Sequence, residues 1–225
     1  MNRVVFDIET LGYPLDTFDD EQQEYLLRFA KTDEEKLDAI QKLSLTPLTA
    51  RVIAIGMLNP DTHKGKVFYQ GPGETASLSE DGLVELIPGT ETEILEQFWK
   101  TISQYSQFIT FNGRNFDSPF LMLRSAMLDV KPSRNLIPYR YKADESCDLL
   151  DQLTFYGAFR KFSLDFYCKA FGIRSPKSEG ITGLDMAPLF EAGRYREIAE
   201  YCLRDIRATA ELYDRWHRFL SFGAG

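Results

Sequence analysis

Two acidic residues lie inside an apolar, strand-like segment near the start of the chain, which reads Val4-Val5-Phe6-Asp7-Ile8-Glu9-Thr10. In a strand, successive side chains point to opposite faces, so Asp7 and Glu9 would share one face with Val5. Two adjacent carboxylates repel each other, and a divalent cation is an effective way to neutralise them. An edge strand whose acids face water is the alternative, and for this segment taken alone it is the default.

A third acid, Asp117, follows a second apolar segment, Phe108 to Phe111, at the point where a helical pattern begins. The connecting sequence is Asn112-Gly113-Arg114-Asn115-Phe116-Asp117. Ligands of open α/β sheets bind where strands end and helices begin, so this position suits a functional side chain. Because Ser118-Pro119 follows, Asp117 is equally suited to be a helix N-cap.

A tyrosine and a fourth acid occur together in the last helical pattern, Glu197 to Leu220. Tyr201 and Asp205 are four residues apart, so they lie on one face of the predicted helix, beside its apolar stripe. This arrangement is compatible with a catalytic pair. It is equally compatible with a buried hydrogen-bonded pair of purely structural role.

The elements that would position these residues indicate an α/β protein with a mixed sheet. The runs Arg51 to Met57 and Lys66 to Tyr69 predict a hairpin, and Glu91 to Ser103 has the spacing of an amphipathic helix. With the first strand and Phe108 to Phe111, the order is three strands, one helix and one strand. Such an order requires at least one crossover connection.

Residues of about 15–46 predict a helical insertion after the first strand. Two helical patterns occur there, around Glu21 to Ala30 and around Asp33 to Leu43, and Thr32 begins a capping box with Glu35. The outer surface of this insertion is acidic. Solvated surface charge explains it, and a role in docking a partner or gating substrate is the alternative.

Composition indicates a globular protein of one domain, residues 1–225. Hydrophobic residues make up 44% of the chain and charged residues 27%, and no run is apolar enough to span a membrane. The start of the chain lacks the pattern of a secretory signal. The three cysteines, Cys147, Cys168 and Cys202, have no C-x-x-C spacing and suit reduced core thiols, so we expect a cytoplasmic protein.

The net charge of -8 is unevenly distributed. Residues 1–50 contain five Lys and Arg against eleven Asp and Glu, whereas residues 131–177 contain nine against five. Within the basic part, residues 129–146 form a polar stretch that combines basic residues with Tyr139 and Tyr141. This combination suits single-stranded nucleic acid, and it suits an ordinary surface loop as well.

The order of the three motifs is more specific than any one of them. The three motifs are, in order, Phe6-Asp7-Ile8-Glu9-Thr10, Phe111-Asn112-Gly113-Arg114-Asn115-Phe116-Asp117 and Tyr201-Cys202-Leu203-Arg204-Asp205. Together they resemble the tyrosine subclass of the DEDD superfamily of 3′-to-5′ exonucleases. The likeness is greatest to the proofreading exonuclease domain of family B DNA polymerases. It extends from Val4 to about Leu212 and implies a ribonuclease-H-like fold, a mixed central sheet flanked by helices. The long insertion departs from that pattern, and a chain of this length suggests a separate exonuclease or subunit rather than a polymerase.

The resemblance implies a metal-dependent hydrolysis of phosphodiester bonds at DNA 3′ ends, with single strands preferred and nucleoside 5′-monophosphates released. Four residues, Asp7, Glu9, Asp117 and Asp205, would hold two divalent ions, Mg²⁺ or Mn²⁺, as in other two-metal sites. Tyr201 would orient the attacking water. With an ordinary pKa of about 10, a phenol is a poor general base near neutral pH.

Substrate contacts are also implied by the resemblance. Residues placed near the terminal nucleotide are Thr10, Leu11, Asn112, Gly113 and Phe116, although Phe116 is as well suited to core packing. Asp148 and Asp151 are further acids, in a region where the superfamily often places another residue that faces the site. The implied partner is the 3′ end of single-stranded DNA, with an association with a polymerase or repair machinery. RNA as substrate, and a non-catalytic nucleic-acid-binding module of the same fold, are the alternatives.

Overall fold

A seven-stranded mixed β-sheet forms the centre of the protein. The computed structural model describes residues 2–180 and 182–222; residues 1, 181 and 223–225 of the predicted domain lie outside the described residues. The strands are β1 (Arg3–Gly12), β2 (Ala50–Leu58), β3 (Gly65–Gln70), β4 (Ser77–Leu78), β5 (Val84–Gly89), β6 (Gln107–Thr110) and β7 (Ser146–Asp148). Their order across the sheet is β4-β5-β3-β2-β1-β6-β7.

Helices cover both faces of this sheet. They are α1 (Asp20–Leu27), α2 (Asp33–Gln41), α3 (Glu91–Ile102), α4 (Asp117–Met127), α5 (Leu149–Leu153), α6 (Leu164–Ala170), α7 (Met186–Glu191) and α8 (Tyr195–Phe219). One core cluster joins the sheet to α5 to α8, and the other joins it to α3 and α4. These three layers and the mixed strand order are those of a ribonuclease-H-like fold, as predicted.

The first strand lies in the middle of the sheet. β1 pairs with β2 in antiparallel orientation and with β6 in parallel orientation. Alternation along β1 is as predicted: Val5 belongs to the core beneath α8, whereas Val4, Phe6 and Ile8 belong to the core beneath α3 and α4. The edge-strand alternative for Asp7 and Glu9 is therefore wrong, because both edges of β1 are paired.

The predicted hairpin is formed by β2 and β3, but the predicted strand count is too low. Two strands were missed between this hairpin and α3. β4 contains only two residues and pairs with β5 alone, and β5 runs parallel to β3. Both strands are too short and too mixed in polarity to show the alternation of apolar and polar residues that predicts a strand. Pro88, near the end of β5, also argues against a strand prediction.

The insertion after β1 contains two short helices, as predicted. Both begin with capping boxes, Asp19 with Gln22 and Thr32 with Glu35. None of the residues of α1 or α2 is buried, and the insertion is attached to the sheet mainly through the buried side chain of Leu43 and a hydrogen bond from Thr10 Oγ1 to the Ser44 carbonyl, 2.8 Å long. Along the described stretches of the chain, no helix has the length and apolar character that a membrane span requires.

Candidate active site

Asp7 and Glu9 lie near the carboxyl end of β1, on the face that packs against α8. Glu9 is buried with 8% of its surface exposed, and Asp7 is half-buried. A bulge between Glu9 and Thr10 interrupts the pairing with β2 immediately after the two acids. Both carboxylates thus lie just beyond the carboxyl end of the parallel neighbour β6. Open α/β sheets bind ligands at the carboxyl ends of their strands.

Asp117 is the first residue of α4 and reaches back to β1. The backbone N–H of Ile8 donates a hydrogen bond to Asp117 Oδ1, with a nitrogen-to-oxygen distance of 3.0 Å. The N-cap of α4 is Phe116, and no side chain caps that end of the helix. The capping alternative for Asp117 is therefore wrong. Its buried carboxylate is fixed beside Asp7 instead, and the two acids are in hydrogen-bonding contact.

Helix α8 brings Tyr201 and Asp205 to the same place because it lies unusually close to the sheet. Gly56 of β2 pairs with Asp7, and a Cβ atom at Gly56 would lie 2.9 Å from both Cys202 Sγ and Ile206 Cγ2. Only glycine allows this approach. Tyr201 is buried and hydrogen-bonds Asp205, so the predicted pairing on one helix face exists.

The four acids influence one another strongly. Burial first, and then the charges of the other three acids, raise the pKa of Asp7 well above its ordinary value. Glu9 is affected in the same way, by burial and then by Asp205 and Asp117. Burial raises the pKa of Asp117 to about 7, although the hydrogen bond from Ile8 opposes the shift. Without a compensating charge, this cluster binds protons near neutral pH.

Two cations moderate the charge at Asp205. Burial raises the pKa of this carboxyl to about 7, and it is lowered in turn by Arg204, by the Tyr201 hydroxyl and by Lys177. Arg204 also lies over the ring of Tyr201, 5.6 Å from its centroid. Arg204 lies within the last motif. Lys177 belongs to a polar stretch far from the motifs, and no sequence pattern indicates its proximity to Asp205.

A thiol is also close to the first two acids. One ligand atom each from Asp7, Glu9 and Cys202 lie within 4.8 Å of one another. Burial raises the pKa of Cys202 far above its ordinary value, so the thiol stays protonated, and its Sγ lies 3.8 Å from the Asp7 carbonyl oxygen. Cys202 therefore acts as a core residue, as predicted for all three cysteines, which are buried and free.

Asn112 and Gly113 form a tight turn between β6 and α4. Asn112 adopts a left-handed conformation with φ of 63°, which asparagine tolerates better than most residues. A Cβ atom at Gly113 would lie 2.4 Å from Thr110 Cβ, so no larger residue fits. The close approach of the Thr110 side chain therefore requires glycine at this position.

Asp148 organises this turn, a role that the sequence did not reveal. Its carboxylate accepts hydrogen bonds from the backbone N–H groups of Asn112 at 2.8 Å, of Arg114 at 3.0 Å and of Leu150 at 3.0 Å. Its charge also contributes to the raised pKa of Asp117. In the sequence, Asp148 is recognisable only as an acid in a short apolar segment. Its hydrogen-bond partner Asn112 lies 36 residues earlier, and no local pattern connects the two.

The remaining predicted residues lie around the four acids in different environments. Leu11 is buried in the core beneath α8, and Thr10 is half-buried and bonded to the insertion. Phe116 is half-buried and packs on Phe120, with ring centroids 5.5 Å apart. Asp151 is buried and forms a two-pronged ion pair with Arg140, with distances of 2.8 and 2.6 Å.

The donor set fits hard divalent cations. Carboxylate oxygens are the ligands that Mg²⁺ and Mn²⁺ prefer, and the only thiol in the cluster is protonated. The pKa values of all four acids are raised, chiefly by burial, even though Arg204 and Lys177 lower that of Asp205. Bound cations would offset the cost of burying these charges.

Comparison with solved structures gives the same architecture. Matching chains number 170. One is the family B DNA polymerase from the hyperthermophilic archaeon Pyrobaculum calidifontis, with a TM-score of 0.63 and 18% identity over 97% of this chain. The chain corresponds to 25% of the length of that polymerase, and at this identity the likeness shows the fold alone. No curated protein matches the sequence.

Comparison with protein families is more specific. One family is described as a "predicted 3'-5' exonuclease related to the exonuclease domain of PolB", and it matches residues 45–221 of the chain. The matched residues include Asp117, Tyr201 and Asp205, whereas Asp7 and Glu9 precede them. The match covers well over half of the sequence, and the fold and the clustered acids agree with it. The chain belongs to this family of 3′-5′ exonuclease relatives.

Proposed function

We propose that the protein is a metal-dependent exonuclease that removes nucleotides from the 3′ ends of DNA and releases nucleoside 5′-monophosphates. The proposal rests above all on the four clustered carboxylates, which come from three separate segments. Burial raises the pKa of all four, and repulsion from neighbouring acids adds to the shift of Asp7, Glu9 and Asp117. A fold does not require such repulsion, because it destabilises the native state unless a ligand relieves it. The family match supports 3′-to-5′ exonuclease chemistry at this cluster.

The proposed metal ligands are Asp7, Glu9, Asp117 and Asp205. Divalent Mg²⁺ or Mn²⁺ at these carboxylates would supply activation of a water molecule and stabilisation of the departing 3′ oxygen, the chemistry of two-metal phosphoryl-transfer sites. The side chains themselves supply placement. Asp117 is fixed by the N–H of Ile8, and Asp205 is fixed by Tyr201. No protein nucleophile is required.

Tyr201 is proposed to orient the attacking water. Burial and the neighbouring carboxylates raise the pKa of Tyr201 above its ordinary value of about 10, so the phenol stays protonated throughout the physiological range. A protonated phenol can donate one hydrogen bond and accept another. It can therefore hold a water in a fixed orientation, but it cannot remove the proton from that water.

The terminal nucleotide is proposed to bind beside the turn that Asp148 supports. The Asn112 side chain would contact sugar or phosphate, and Phe116 would stack or insert at the last base. Thr10 and Leu11 would line the opposite side, with the buried side chain of Leu11 leaving only its backbone available. This arrangement has no contact that would recognise a 2′-hydroxyl, so DNA is proposed on the relation of the family to a polymerase domain.

The proposed wider setting is a single catalytic domain that works with a polymerase or repair machinery in the cytoplasm. Residues 1–225 would form one catalytic domain with residues 15–46 as an insertion, since one continuous sheet extends through the described chain. An association with a polymerase or repair machinery is suggested by the family description. Buried free thiols suit a reducing compartment, the cytoplasm.

A nuclease assay with labelled oligonucleotides tests this function. Single-stranded DNA and RNA of one sequence, labelled at the 5′ end, are incubated with the protein and Mg²⁺, Mn²⁺ or EDTA. We expect metal-dependent shortening of the DNA from its 3′ end, lost in Asp7→Ala and kept in Asp214→Ala, which removes an exposed acid from the same helix as Asp205. If only the RNA is shortened, the substrate is RNA rather than DNA. Binding without cleavage would indicate a non-catalytic module.

A further inference from the structure

Six exposed aromatic residues lie on two segments next to the candidate site, residues 139–141 and 155–166, and we call them the aromatic face. Its members are Tyr139, Tyr141, Phe155, Phe159, Phe162 and Phe166. Each exposes between 36% and 67% of its surface. Neighbouring rings contact one another: Tyr139 with Tyr141 at 5.5 Å, and Phe162 with Phe166 at 4.3 Å in a stacked arrangement. A soluble protein rarely leaves so many aromatic rings exposed together unless they bind something.

The aromatic face is continuous with the turn at the candidate site. Phe162 contacts Tyr167 at a centroid distance of 6.4 Å, and Tyr167 contacts Phe111 at 5.8 Å. Phe111 directly precedes Asn112. On the other side of the turn, Arg114 Nη2 donates to the Pro138 carbonyl at 2.9 Å, one residue before Tyr139. A chain whose end lies at the turn would therefore meet the aromatic face next.

The loops that carry these rings are fixed rather than loosely attached. The two-pronged ion pair between Arg140 and the buried carboxylate of Asp151 anchors the segment with Tyr139 and Tyr141. Three consecutive residues, Phe155, Tyr156 and Gly157, adopt positive φ of 49°, 58° and 97°. Left-handed backbone at two bulky residues is strained, and such strain concentrates at functional sites.

Charge favours a polyanion on this side of the site. Lys142, Arg160 and Lys161 are exposed among the rings, and the Arg160 guanidinium lies 5.1 Å from the centroid of Phe162. The acidic insertion is on the other side, since it joins β1 to β2 whereas the aromatic face follows β6 and β7. A phosphate chain would be repelled by the insertion and attracted to the aromatic face.

We propose that the aromatic face binds single-stranded nucleic acid, stacking the bases that precede the 3′-terminal nucleotide. This inference rests on the proposed exonuclease function for the direction of the strand. Exposed rings with interspersed cations bind bases without regard to sequence, because every base has a π-face. The bases of a duplex are stacked on one another and cannot use these rings. The aromatic face thus selects single strands of several nucleotides.

Equilibrium binding in EDTA tests the proposal, because cleavage is then absent. Fluorescence anisotropy measures the affinity of the protein for labelled single-stranded DNA of 2, 6 and 12 nucleotides and for a 12-base-pair blunt duplex. Affinity should rise with length, and the double variant Phe162→Ala/Phe166→Ala should bind the 12-mer at least about tenfold more weakly. Phe162→Tyr/Phe166→Tyr, which keeps both rings, should retain the affinity. Phe29→Ala, at an exposed ring of the acidic insertion, is the matched control.

Other outcomes would overturn the proposal. Stacking on this face would be excluded if the double Ala variant and Phe29→Ala lost the same affinity for the 12-mer. It would also be excluded if affinity did not depend on the length of the DNA, or if the duplex bound as tightly as the single strand. A dimer in gel filtration that the double Ala variant dissociates would make the face an interface between copies. If the protein cleaves no substrate but its affinity still depends on DNA length and on the two Phe rings, the proposed role of the aromatic face stands and only the exonuclease function is refuted.

Discussion

At the residue scale, Tyr201 stays protonated throughout the physiological pH range. Burial, and then the charges of Asp205, Glu9 and Asp7, raise the pKa of its phenol. Its proposed role is therefore to donate and accept hydrogen bonds. Removing the hydroxyl should remove that function and the hydrogen bond to Asp205, whereas the other three metal ligands make no contact with it that would be lost.

The first prediction concerns Tyr201→Phe. We expect kcat for single-stranded DNA to fall by about 10- to 100-fold, the rate equivalent of a lost hydrogen bond to a charged group. The Mn²⁺ concentration for half-maximal rate should change by less than about threefold. Steady-state kinetics with a Mn²⁺ titration measures both, and Tyr213→Phe, a buried tyrosine of the same helix away from the acids, is the control. A large shift in metal requirement with an intact kcat would assign Tyr201 to metal binding instead.

Asp148 supports the site indirectly, by holding the backbone of the turn between β6 and α4. Its carboxylate accepts three backbone hydrogen bonds and keeps Asn112 in a left-handed conformation. Asn has a single acceptor oxygen in place of two, and its amide nitrogen would face an N–H donor.

Asp148→Asn should destabilise the protein by about 1–3 kcal/mol, the cost of buried donors without acceptors. It should also raise KM more than it lowers kcat, since the turn is proposed to contact the terminal nucleotide. Urea unfolding and steady-state kinetics test the two parts, with Asp144→Asn, an exposed acid of the preceding loop, as the control. Unchanged stability together with unchanged KM would show that Asp148 does not support the turn.

At the element scale, the close packing of α8 on β2 determines whether the acids meet. Asp205 and Tyr201 are on the helix, and Asp7 and Glu9 are on the adjacent strand. Gly56 sets the distance between the two elements because its missing side chain makes room for Cys202 and Ile206. A small change in helix position would separate Asp205 from the other acids.

Gly56→Ala should therefore impair both stability and catalysis. The added methyl group would lie 2.9 Å from two side-chain atoms, and overpacking of this kind costs about 1–3 kcal/mol. We expect activity to fall further than the folded fraction does. Cys202→Ala in the same chain removes one of the two clashing atoms and should recover part of both losses. Gly183→Ala, at a glycine with open space around it, is the control. Full activity of Gly56→Ala would show that the helix position is not critical.

The long, regular elements were the predictable ones. α3 and α8 were identified from their apolar spacing, and β1 from its alternation. The order of the motifs, together with the fold they imply, identified the acids that the structure brings together. β4 and β5 were missed because they are short and depend on pairing with each other and with β3. The partners of Asp148 and the proximity of Cys202 to Asp7 depend on long-range contacts that no local pattern encodes.

At the scale of the whole molecule, the acids make stability depend on pH and on metal together. The pKa of Asp117 and that of Asp205 are raised to about 7 in the folded protein, from 3.8. The folded state therefore holds more protons than the unfolded chain between these values. By linkage, this contribution is fully present below pH of about 4 and is lost as pH rises through about 7.

In EDTA, we expect the free energy of unfolding to decrease from pH 5 to pH 8, by about 1.4 kcal/mol for each net unit of pKa shift. Denaturant unfolding at several pH values measures this slope. Asp117→Asn, which removes one titrating group, should flatten it. A free energy of unfolding that increases from pH 5 to pH 8 in EDTA would contradict the raised pKa values.

Stabilisation of the folded protein by a divalent metal should have the opposite pH dependence and increase with pH. Ligand carboxylates must be deprotonated, so Mn²⁺ should raise the melting temperature more at pH 8 than at pH 5, by mass action on the folded state. The shift should be much smaller in Asp7→Ala. Thermal unfolding with and without Mn²⁺ tests this, and equal shifts in the two proteins would exclude a metal site at β1.

The central claim is that the carboxylate cluster hydrolyses DNA from the 3′ end, and the direction and product of cleavage test it most directly. Single-stranded DNA labelled at the 5′ end, and the same strand labelled within its 3′-terminal nucleotide, are each digested with Mg²⁺ or Mn²⁺. We predict a ladder that shortens stepwise from the 3′ end, immediate release of the 3′ label as a nucleoside 5′-monophosphate, and loss of both in Asp7→Ala and Asp205→Ala. Cleavage within the strand, release of the 5′ label first, or full activity in either variant would contradict this account.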